Sequence, residues 1–223
     1  MILFDYPRQS YFGRTLPKAK IYAHTAASTR LKELFVRQID QIVWKFKLAP
    51  ETINIPATEI VSEIQIFAVT LKTGELHPDV LRSIDIAIPF PIVYEVSYEG
   101  KVKVMACYKR PHESGGEKWI SGAWLMSDWM PENAGRQALP VKLDLAALYD
   151  ELLGTLIPYP PRQGESLQQR IRRAEAISRQ QKELTRMEAA LEKEKQFNRK
   201  VEINAGIRNT KQQIDRLKAL TEE

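Results

Sequence analysis

The sequence predicts an α+β fold, a mixed sheet with flanking helices, followed by a long C-terminal helical coiled-coil tail. Up to residue 157, short apolar segments bounded by Gly and Pro alternate with segments of helical periodicity, which is typical of a mixed α/β domain. Residues 158–164 form a Pro-rich joint that cannot continue a helix. From 165 to 223 there is no Pro and a single Gly, so this segment is predicted to be a basic coiled coil or helical hairpin.

The first half of the domain is predicted to alternate strands and helices. Lys18–His24 is predicted to be a short strand. A helix is predicted from Ser28 or Thr29 to near Leu48, since apolar residues recur there three or four positions apart. These residues are Leu31, Leu34, Phe35, Ile39, Ile42, Val43 and Phe46. Residues 63–72 are apolar on both faces, which indicates an interior strand.

The second half of the domain begins with a short helix that starts at Pro78 and stops before Pro89. Two strands, 91–98 and 101–109, are joined by Glu99-Gly100, a tight hairpin signal. A polar loop at 112–117, one or two strands within 118–130 and a helix over 141–156 follow. The predicted order is strand, helix, strand, helix, hairpin, strand, helix.

The tail carries a heptad pattern that changes register. One seam comprises Leu184, Met187, Leu191, Glu194, Asn198, Val201, Ala205 and Arg208. A shifted seam continues through Ile207, Thr210, Ile214, Leu217 and Thr221. The shift near Asn204-Ala205-Gly206 indicates either a stutter in one helix or a turn that folds two helices together. The residues predicted to make a partner or coiled-coil contact are Leu184, Met187, Leu191, Phe197, Asn198, Val201 and Asn204.

Positive charge is concentrated in the tail. Residues 1–161 contain 18 basic and 18 acidic side chains, whereas residues 162–223 contain 15 basic and 10 acidic ones. A local basic surface attracts phosphate backbones or an acidic protein face. The nucleic-acid candidates are Arg170, Arg172, Arg173, Arg179, Lys182 and Arg186. The alternative is a solvated helix in which these cations pair with Glu residues at helical spacing.

The composition gives no basis for a metal or cofactor site. The single Cys107 excludes an intramolecular disulfide and is typical of a reducing compartment, and the three His residues lie far apart. The sequence has no nucleotide-binding Gly-rich loop. We therefore assign no catalytic, cofactor-binding or metal-ligating residue. No apolar run is long enough to span a membrane, and the first residues do not form a signal peptide, so a cytoplasmic location is expected.

An enzymatic alternative is a metal-dependent nuclease. Such sites place carboxylates and a Lys on adjacent strands around a magnesium ion. Glu63, Gln65, Glu95, Lys101 and Lys103 lie on predicted strands, although Glu95 and Lys103 also alternate with apolar neighbours as solvent-facing residues do. This alternative stays open, with a non-enzymatic role favoured.

Trp119, Trp124 and Trp129 occur at intervals of five residues. They form either part of the core or a platform on which bases stack, and packing in the core is the commoner role.

Several segments together resemble a known family. They are 42–48 with 50–54, 63–67, 88–93 and 194–204. The chain resembles an uncharacterised bacterial and archaeal domain-of-unknown-function family. Its members are encoded beside helicase-type ATPases and DNA methyltransferases, in loci similar to restriction or anti-phage defence islands. The resemblance covers nearly the whole chain and brings no catalytic residues with it.

The resemblance implies a non-catalytic accessory or adaptor subunit of a DNA-acting defence complex. A helicase or methyltransferase would be the protein partner, docked through the C-terminal helices. A homodimer through the tail, direct contact with DNA and a plain nucleic-acid-binding module remain as alternatives.

Overall fold

The computed structural model describes residues 2–111 and 119–220, which fall into two compact units, Met1–Leu156 and Ile157–Glu223. The fold is α+β with a mixed sheet, as the sequence predicts. The polar loop expected at 112–117 and the seam residue Thr221 lie outside the described residues. Within the described ranges, no helix combines the length and the apolar character that crossing a bilayer would require.

The first unit is organised around one large sheet. Its strands are β1 (Phe4–Asp5), β2 (Tyr11–Thr15), β3 (Ile39–Leu48), β4 (Ile64–Leu71), β5 (Ile92–Tyr98), β6 (Lys101–Pro111), β7 (Trp119–Met126), β8 (Met130–Pro131) and β9 (Gln137–Ala138). The spatial order is β2-β3-β4-β5-β6-β7, with β8 paired to β6. β1 and β9 form a separate parallel pair.

The sheet is mixed because β4 and β5 run parallel, whereas each of the other neighbouring pairs in the large sheet is antiparallel. Parallel neighbours need a crossover, and α4 (Pro78–Ala87) supplies it. β5 and β6 are joined by Glu99 and Gly100, both at positive φ, as a two-residue hairpin turn requires. The predicted strand at 63–72, the helix from Pro78 and the 91–109 hairpin are thus confirmed.

The other helices of this unit are α1 (Lys18–Thr25), α2 (Thr29–Gln38), α3 (Pro50–Ile53) and α5 (Leu145–Gly154). The prediction of a strand at 18–24 is wrong, because this segment is α1. Ile21 is its buried side chain, and Tyr22 packs edge-on against Phe35 of α2. Lys18 Nζ donates to the carbonyls of Phe35 (3.3 Å) and Ile39 (2.6 Å), so α1 caps the C-terminal end of α2.

The long helix predicted from Ser28 to Leu48 is also wrong, because it ends at Gln38 and the chain continues as β3. The start is correct, since the Ser28 hydroxyl caps α2 by accepting from the Leu31 amide. Residues 39–48 are rich in β-branched and aromatic side chains, which favour a strand. Pairing of β3 with β4 in the interior of the sheet decides between the two structures.

The main core lies between one face of the sheet and the helices α1, α2 and α4. Its largest fully buried side chains include Phe35, Phe67 and Tyr94. Trp44 packs at its edge, with its ring 6.0 Å from that of Phe67. α5 begins at Leu145 rather than at the expected Val141, which is 90% exposed.

The second unit contains two helices, α6 (Leu167–Lys193) and α7 (Phe197–Lys218), which pack against each other. A salt bridge of 3.1 Å joins Glu188 to Lys211, and Met187 lies beside Gly206, so the helices are antiparallel. The tail is therefore a helical hairpin and not one continuous helix.

The turn of the hairpin lies at 194–196 and not at the predicted 204–206. Glu194 Oε1 accepts hydrogen bonds of 2.8 Å from the amides of Lys195 and Gln196, which stabilises the turn. Gly206 lies inside α7, where a Cβ would come within 3.3 Å of Met187 Sδ. A side chain at this position would meet only Met187, and Gly206 lies inside the helix and does not act as a hinge.

Candidate functional site

A buried ion pair lies at the base of the hairpin, at the start of α6. Arg173 donates from Nε and Nη2 to the two carboxylate oxygens of Glu165, at 2.6 and 2.7 Å. The two side chains are 5% and 8% exposed. These hydrogen bonds lower the pKa of Glu165 below its ordinary value. Arg173 also donates to the carbonyl of Pro160 at 2.7 Å, which ties α6 to the Pro-rich joint.

Two further arginines continue this contact. Arg162 donates to the carbonyls of Arg216, Leu217 and Ala219 at 2.9–3.2 Å, and so caps the C-terminal end of α7. Arg170 donates to the carbonyls of Tyr159 and Ile157. Arg170 and Arg173, both nucleic-acid candidates in the sequence, are thus bonded to the joint, with Arg170 half-buried and Arg173 buried.

A cavity of about 520 Å³ opens beside this contact. Its wall contains Arg162, Glu165, Arg173 and Leu217. Since the two guanidinium groups already bind carbonyls and a carboxylate, the cavity offers an anion no vacant cation. We do not treat it as a ligand site.

The other four nucleic-acid candidates are exposed on α6. Arg172, Arg179, Lys182 and Arg186 all face solvent, as does Lys193, which the sequence analysis did not select. Arg186 lies 3.7 Å from Glu183 in an exposed contact. In the part of the chain that the structure describes, no carboxylate oxygen lies within 4.0 Å of the charged nitrogens of the other four cations. These four are Arg172, Arg179, Lys182 and Lys193.

The predicted partner-contact residues divide into two groups. Leu184, Met187 and Leu191 are half-buried at seam positions of α6. Leu184 lies beside Ile214, and Met187 beside Gly206. This seam is therefore used inside the hairpin.

The seam of α7 is the shifted one. Ile207, Thr210 and Ile214 are buried, whereas Asn198, Val201 and Arg208 of the other predicted register are exposed. The physical reason is the turn at 194–196, which resets the register between the two helices.

The second group forms an exposed stripe on α7. Phe197, Val201 and Asn204 follow steps of four and three residues, which place them on one helix face. Phe197 is 78% exposed and Val201 is 49% exposed. Asn198 is exposed next to them. We call Phe197, Val201 and Asn204 the tip stripe, since it begins at the turn of the hairpin.

The sheet unit contains a buried polar cluster that the sequence analysis missed. Lys109 Nζ lies 3.2 Å from Asp85 Oδ1, and each side chain is 1% exposed. The same amine donates to the carbonyls of Asp85, Ile88 and Phe90 at 2.8–3.0 Å, which caps the C-terminal end of α4. Tyr94 donates to Asp85 Oδ1 at 3.0 Å.

The pair is buried, and burial is the largest influence on the pKa of both groups. It raises the pKa of Asp85 and lowers the pKa of Lys109, while the attraction between them opposes both shifts. The amine uses all its donors on groups of α4 and the following loop. We therefore assign the pair a structural role in holding the crossover to the sheet.

Glu63 and Glu95, the acids of the nuclease alternative, belong to separate groups. Both oxygens of Glu95 accept from the Arg136 guanidinium, at 2.8 and 3.1 Å, and Lys45 lies 3.4 Å away. Arg136 also donates to the Phe4 carbonyl, so this group attaches the N-terminal segment to the sheet.

Glu63 contacts Lys47 at 3.2 Å and accepts from Gln65 at 2.6 Å. Lys101 and Lys103 lie on β6, and the amine of Lys103 stacks on the ring of Trp129 at 4.7 Å. Over the described ranges, no three His, Cys, Asp or Glu side chains come together as metal ligands would. The structure thus does not bring the nuclease candidates into one site.

The tryptophans do not form one surface in the part that is described. Trp124 packs on the core, 6.0 Å from the ring of Tyr94, and Trp129 is 37% exposed. The side chain of Trp119 lies outside the described residues.

The comparisons with known proteins identify the family without assigning an activity. No match was found among curated proteins or among solved structures. The family model described as "Domain of unknown function (DUF4391)" matches residues 4–214 and so spans both units. The chain therefore belongs to the DUF4391 family.

Proposed function

We propose that this protein is a non-catalytic accessory subunit of a DNA-acting defence complex, and that its C-terminal hairpin docks a helicase-type ATPase or a DNA methyltransferase. The observation that carries the proposal is the tip stripe. It exposes the aromatic side chain of Phe197 and the β-branched side chain of Val201 on one helix face.

The buried seam supports a partner other than a second hairpin. Leu184, Met187, Ile207 and Ile214 are packed within one chain, so the hairpin does not need another copy to cover its apolar seam. Phe197 and Val201 lie near the turn, about 80° and 120° around α7 from the buried Ile207, so the seam does not cover them. Aromatic residues, Phe included, are enriched in protein–protein interfaces relative to the rest of the surface.

The sheet unit supports a role without chemistry of its own. Its acidic side chains at interior positions, Asp85 and Glu95, are bound to Lys109 and Arg136 in groups that link chain segments. Each carboxylate serves the fold in this arrangement. The resemblance to a family encoded beside helicases and methyltransferases supplies the class of partner.

The proposal is tested by co-expressing the chain with the helicase-type ATPases and DNA methyltransferases of its own genome and measuring complex mass by size-exclusion chromatography with light scattering. We expect a complex with one of these proteins. Changing both Phe197 and Val201 to Ser should lower its binding affinity at least about tenfold, because a desolvated aromatic anchor contributes about 2 kcal/mol or more.

A matched control is the change of Val141 and Leu143 to Ser. Both are 90% exposed, so it removes a comparable apolar area from a different surface. We expect this control to bind like the unmodified chain. The absence of any complex, or a complex that survives the Phe197 and Val201 changes, would overturn the proposal.

A further inference from the structure

We infer that α6 carries a binding site for the phosphate backbone of duplex nucleic acid, formed by Arg172, Arg179, Arg186 and Lys193. We call these four residues the basic ridge. This inference goes beyond the proposed docking function and uses a different surface of the hairpin.

The ridge is a regular line of charge. Its members are seven residues apart, which is two helical turns less about 20°, so the line drifts by only about 60° over its whole length. All four side chains are exposed. At 1.5 Å per residue, the ridge extends over about 32 Å.

The ridge lies on the side of α6 that faces away from α7. Helical spacing places Arg179 and Arg186 about 160–180° from the buried Ile177, and Ile177 is on the side of the seam. The contact between the helices therefore leaves the ridge uncovered. Lys182 adds a fifth exposed cation on its flank.

The charge of the ridge is largely unneutralised. Arg186 has one exposed contact to Glu183 at 3.7 Å, and contacts of this kind contribute little. For Arg172, Arg179 and Lys193, no carboxylate oxygen lies within 4.0 Å among the residues that the structure describes. By contrast, the neighbouring Arg170 and Arg173 are bonded to the joint. The exposed cations are thus those that the fold does not use.

The geometry matches a duplex. At about 3.4 Å of rise per base pair, the ridge corresponds to about nine base pairs, slightly less than one turn of the duplex. Each phosphate strand winds around the axis, so a straight ridge does not follow one strand. It meets phosphates where the two backbones cross its path at the edges of the grooves. Arg and Lys neutralise phosphates without reading the bases.

Two other partners fit less well. Single-stranded nucleic acid is usually held by aromatic side chains on which bases stack, and α6 contains no aromatic residue. An acidic protein would need an apolar centre to its interface, whereas the ridge is flanked by Glu, Gln and Ala side chains such as Glu175, Gln168 and Ala189.

The test measures binding of the full chain to a labelled DNA duplex of about 20 base pairs, roughly twice the span of the ridge, between about 50 and 200 mM salt. An RNA duplex, single-stranded DNA and polyglutamate serve as comparison probes. We expect the duplexes to bind, with an affinity that falls steeply with salt. If DNA and RNA duplexes bind equally, the phosphates alone are recognised. A preference for one of them identifies the nucleic acid that the ridge binds.

The ridge variant changes Arg172, Arg179, Arg186 and Lys193 to Gln, which has a similar helix propensity. We expect an affinity loss of more than about tenfold and a salt slope shallower by about 0.9 per cation, so by about 3.6 for the set. The charge-matched control changes Lys195, Lys200, Arg208 and Lys218, which are exposed outside the ridge, to Gln. It should change the slope by less than about one.

A rescue variant keeps the charge by changing the three ridge arginines to Lys, and it should retain most of the binding. The inference is overturned if the unmodified chain ignores duplexes, if it prefers polyglutamate, or if the control variant loses as much as the ridge variant. The ridge variant leaves Phe197 and Val201 intact, so its failure is distinguishable from failure of the docking proposal.

Discussion

Lys109 joins β6 to α4 through one buried amine. This amine contacts three carbonyls at the end of α4 and the carboxylate of Asp85, and the side chain is 1% exposed. A group in this position is costly to bury and still more costly to remove, because its partners would stay buried without it.

We therefore expect Lys109→Met to lower the free energy of unfolding by about 3–5 kcal/mol, because the Asp85 carboxylate is then left without its cation. Lys103→Met is the matched control on the same strand. Lys103 is only half-buried and lies over Trp129, so its loss should cost less than about 1 kcal/mol. Urea titrations of both variants decide this. Equal losses would show that Lys109 contributes no more than its apolar stem.

The deficit of Lys109→Met should depend on pH in a definite direction. Burial already raises the pKa of Asp85 in the intact protein, and removing Lys109 removes an influence that lowers this pKa. A carboxyl whose folded pKa lies above its unfolded value stabilises the folded state at low pH, and this contribution is lost as pH rises through the folded pKa. The deficit should thus shrink toward acidic pH, as urea titrations from neutral to acidic pH would record.

The two helices of the hairpin are stabilised by specific hydrogen bonds at their ends. α6 starts with a capping box, in which the Ser166 hydroxyl accepts from the Gln169 amide and the Gln169 side chain accepts from the Ser166 amide. Arg162 caps the end of α7. Between these ends, the seam is narrow and includes the polar Thr210 and Gly206.

Two Gly→Ala changes in the hairpin unit should have opposite effects on its stability. Gly206→Ala should stabilise the hairpin by up to about 1 kcal/mol through helix propensity, since the new Cβ meets only the flexible end of Met187. Gly164→Ala should destabilise it by about 1–2 kcal/mol, because Gly164 has a φ of +73° with open space around it. Thermal unfolding followed by circular dichroism measures both. A loss at Gly206 would mean that Met187 cannot move.

Elements with a single dominant signal could be predicted from the sequence. The β5–β6 hairpin has Glu99-Gly100, and α4 has Pro78 at its start and Pro89 after its end. The boundary at Gln38 has no such signal, because the apolar positions from 39 to 46 fit a helix face as well as a strand. Pairing with β4 and the cap from Lys18 decide it, and both come from distant parts of the chain.

The basic surface of the hairpin, like the secondary structure, could be predicted from the sequence only in part. The concentration of positive charge in the tail is visible in the sequence, but Arg172 and Arg173 are equivalent there. Only the position of the joint separates them, since it buries Arg173 against Glu165 and leaves Arg172 in solvent. Lys193 lies beyond the basic run of 170–186, and only its heptad spacing from Arg186 on the exposed side of α6 adds it to the ridge.

For the whole molecule, the hairpin bears on the oligomeric state that the sequence left open. A long unpaired amphipathic helix would associate with a second copy, because its apolar stripe would otherwise face water. In this chain α7 covers the stripe of α6, so each chain satisfies its own seam. The basic ridge adds repulsion between copies, which is strongest at low salt.

We therefore expect the full chain to be a monomer of 25.7 kDa in light scattering at micromolar concentration. A dimer would arise in one of two ways, and the Phe197→Ser, Val201→Ser variant separates them. If that variant is monomeric while the unmodified chain is a dimer, the tip stripe is a self-association surface and competes with the docking of another protein. If the variant is also a dimer, the hairpins have opened at 194–196 and exchanged helices. In that case, shortening or stiffening the turn would change the equilibrium, whereas changes to the stripe would not.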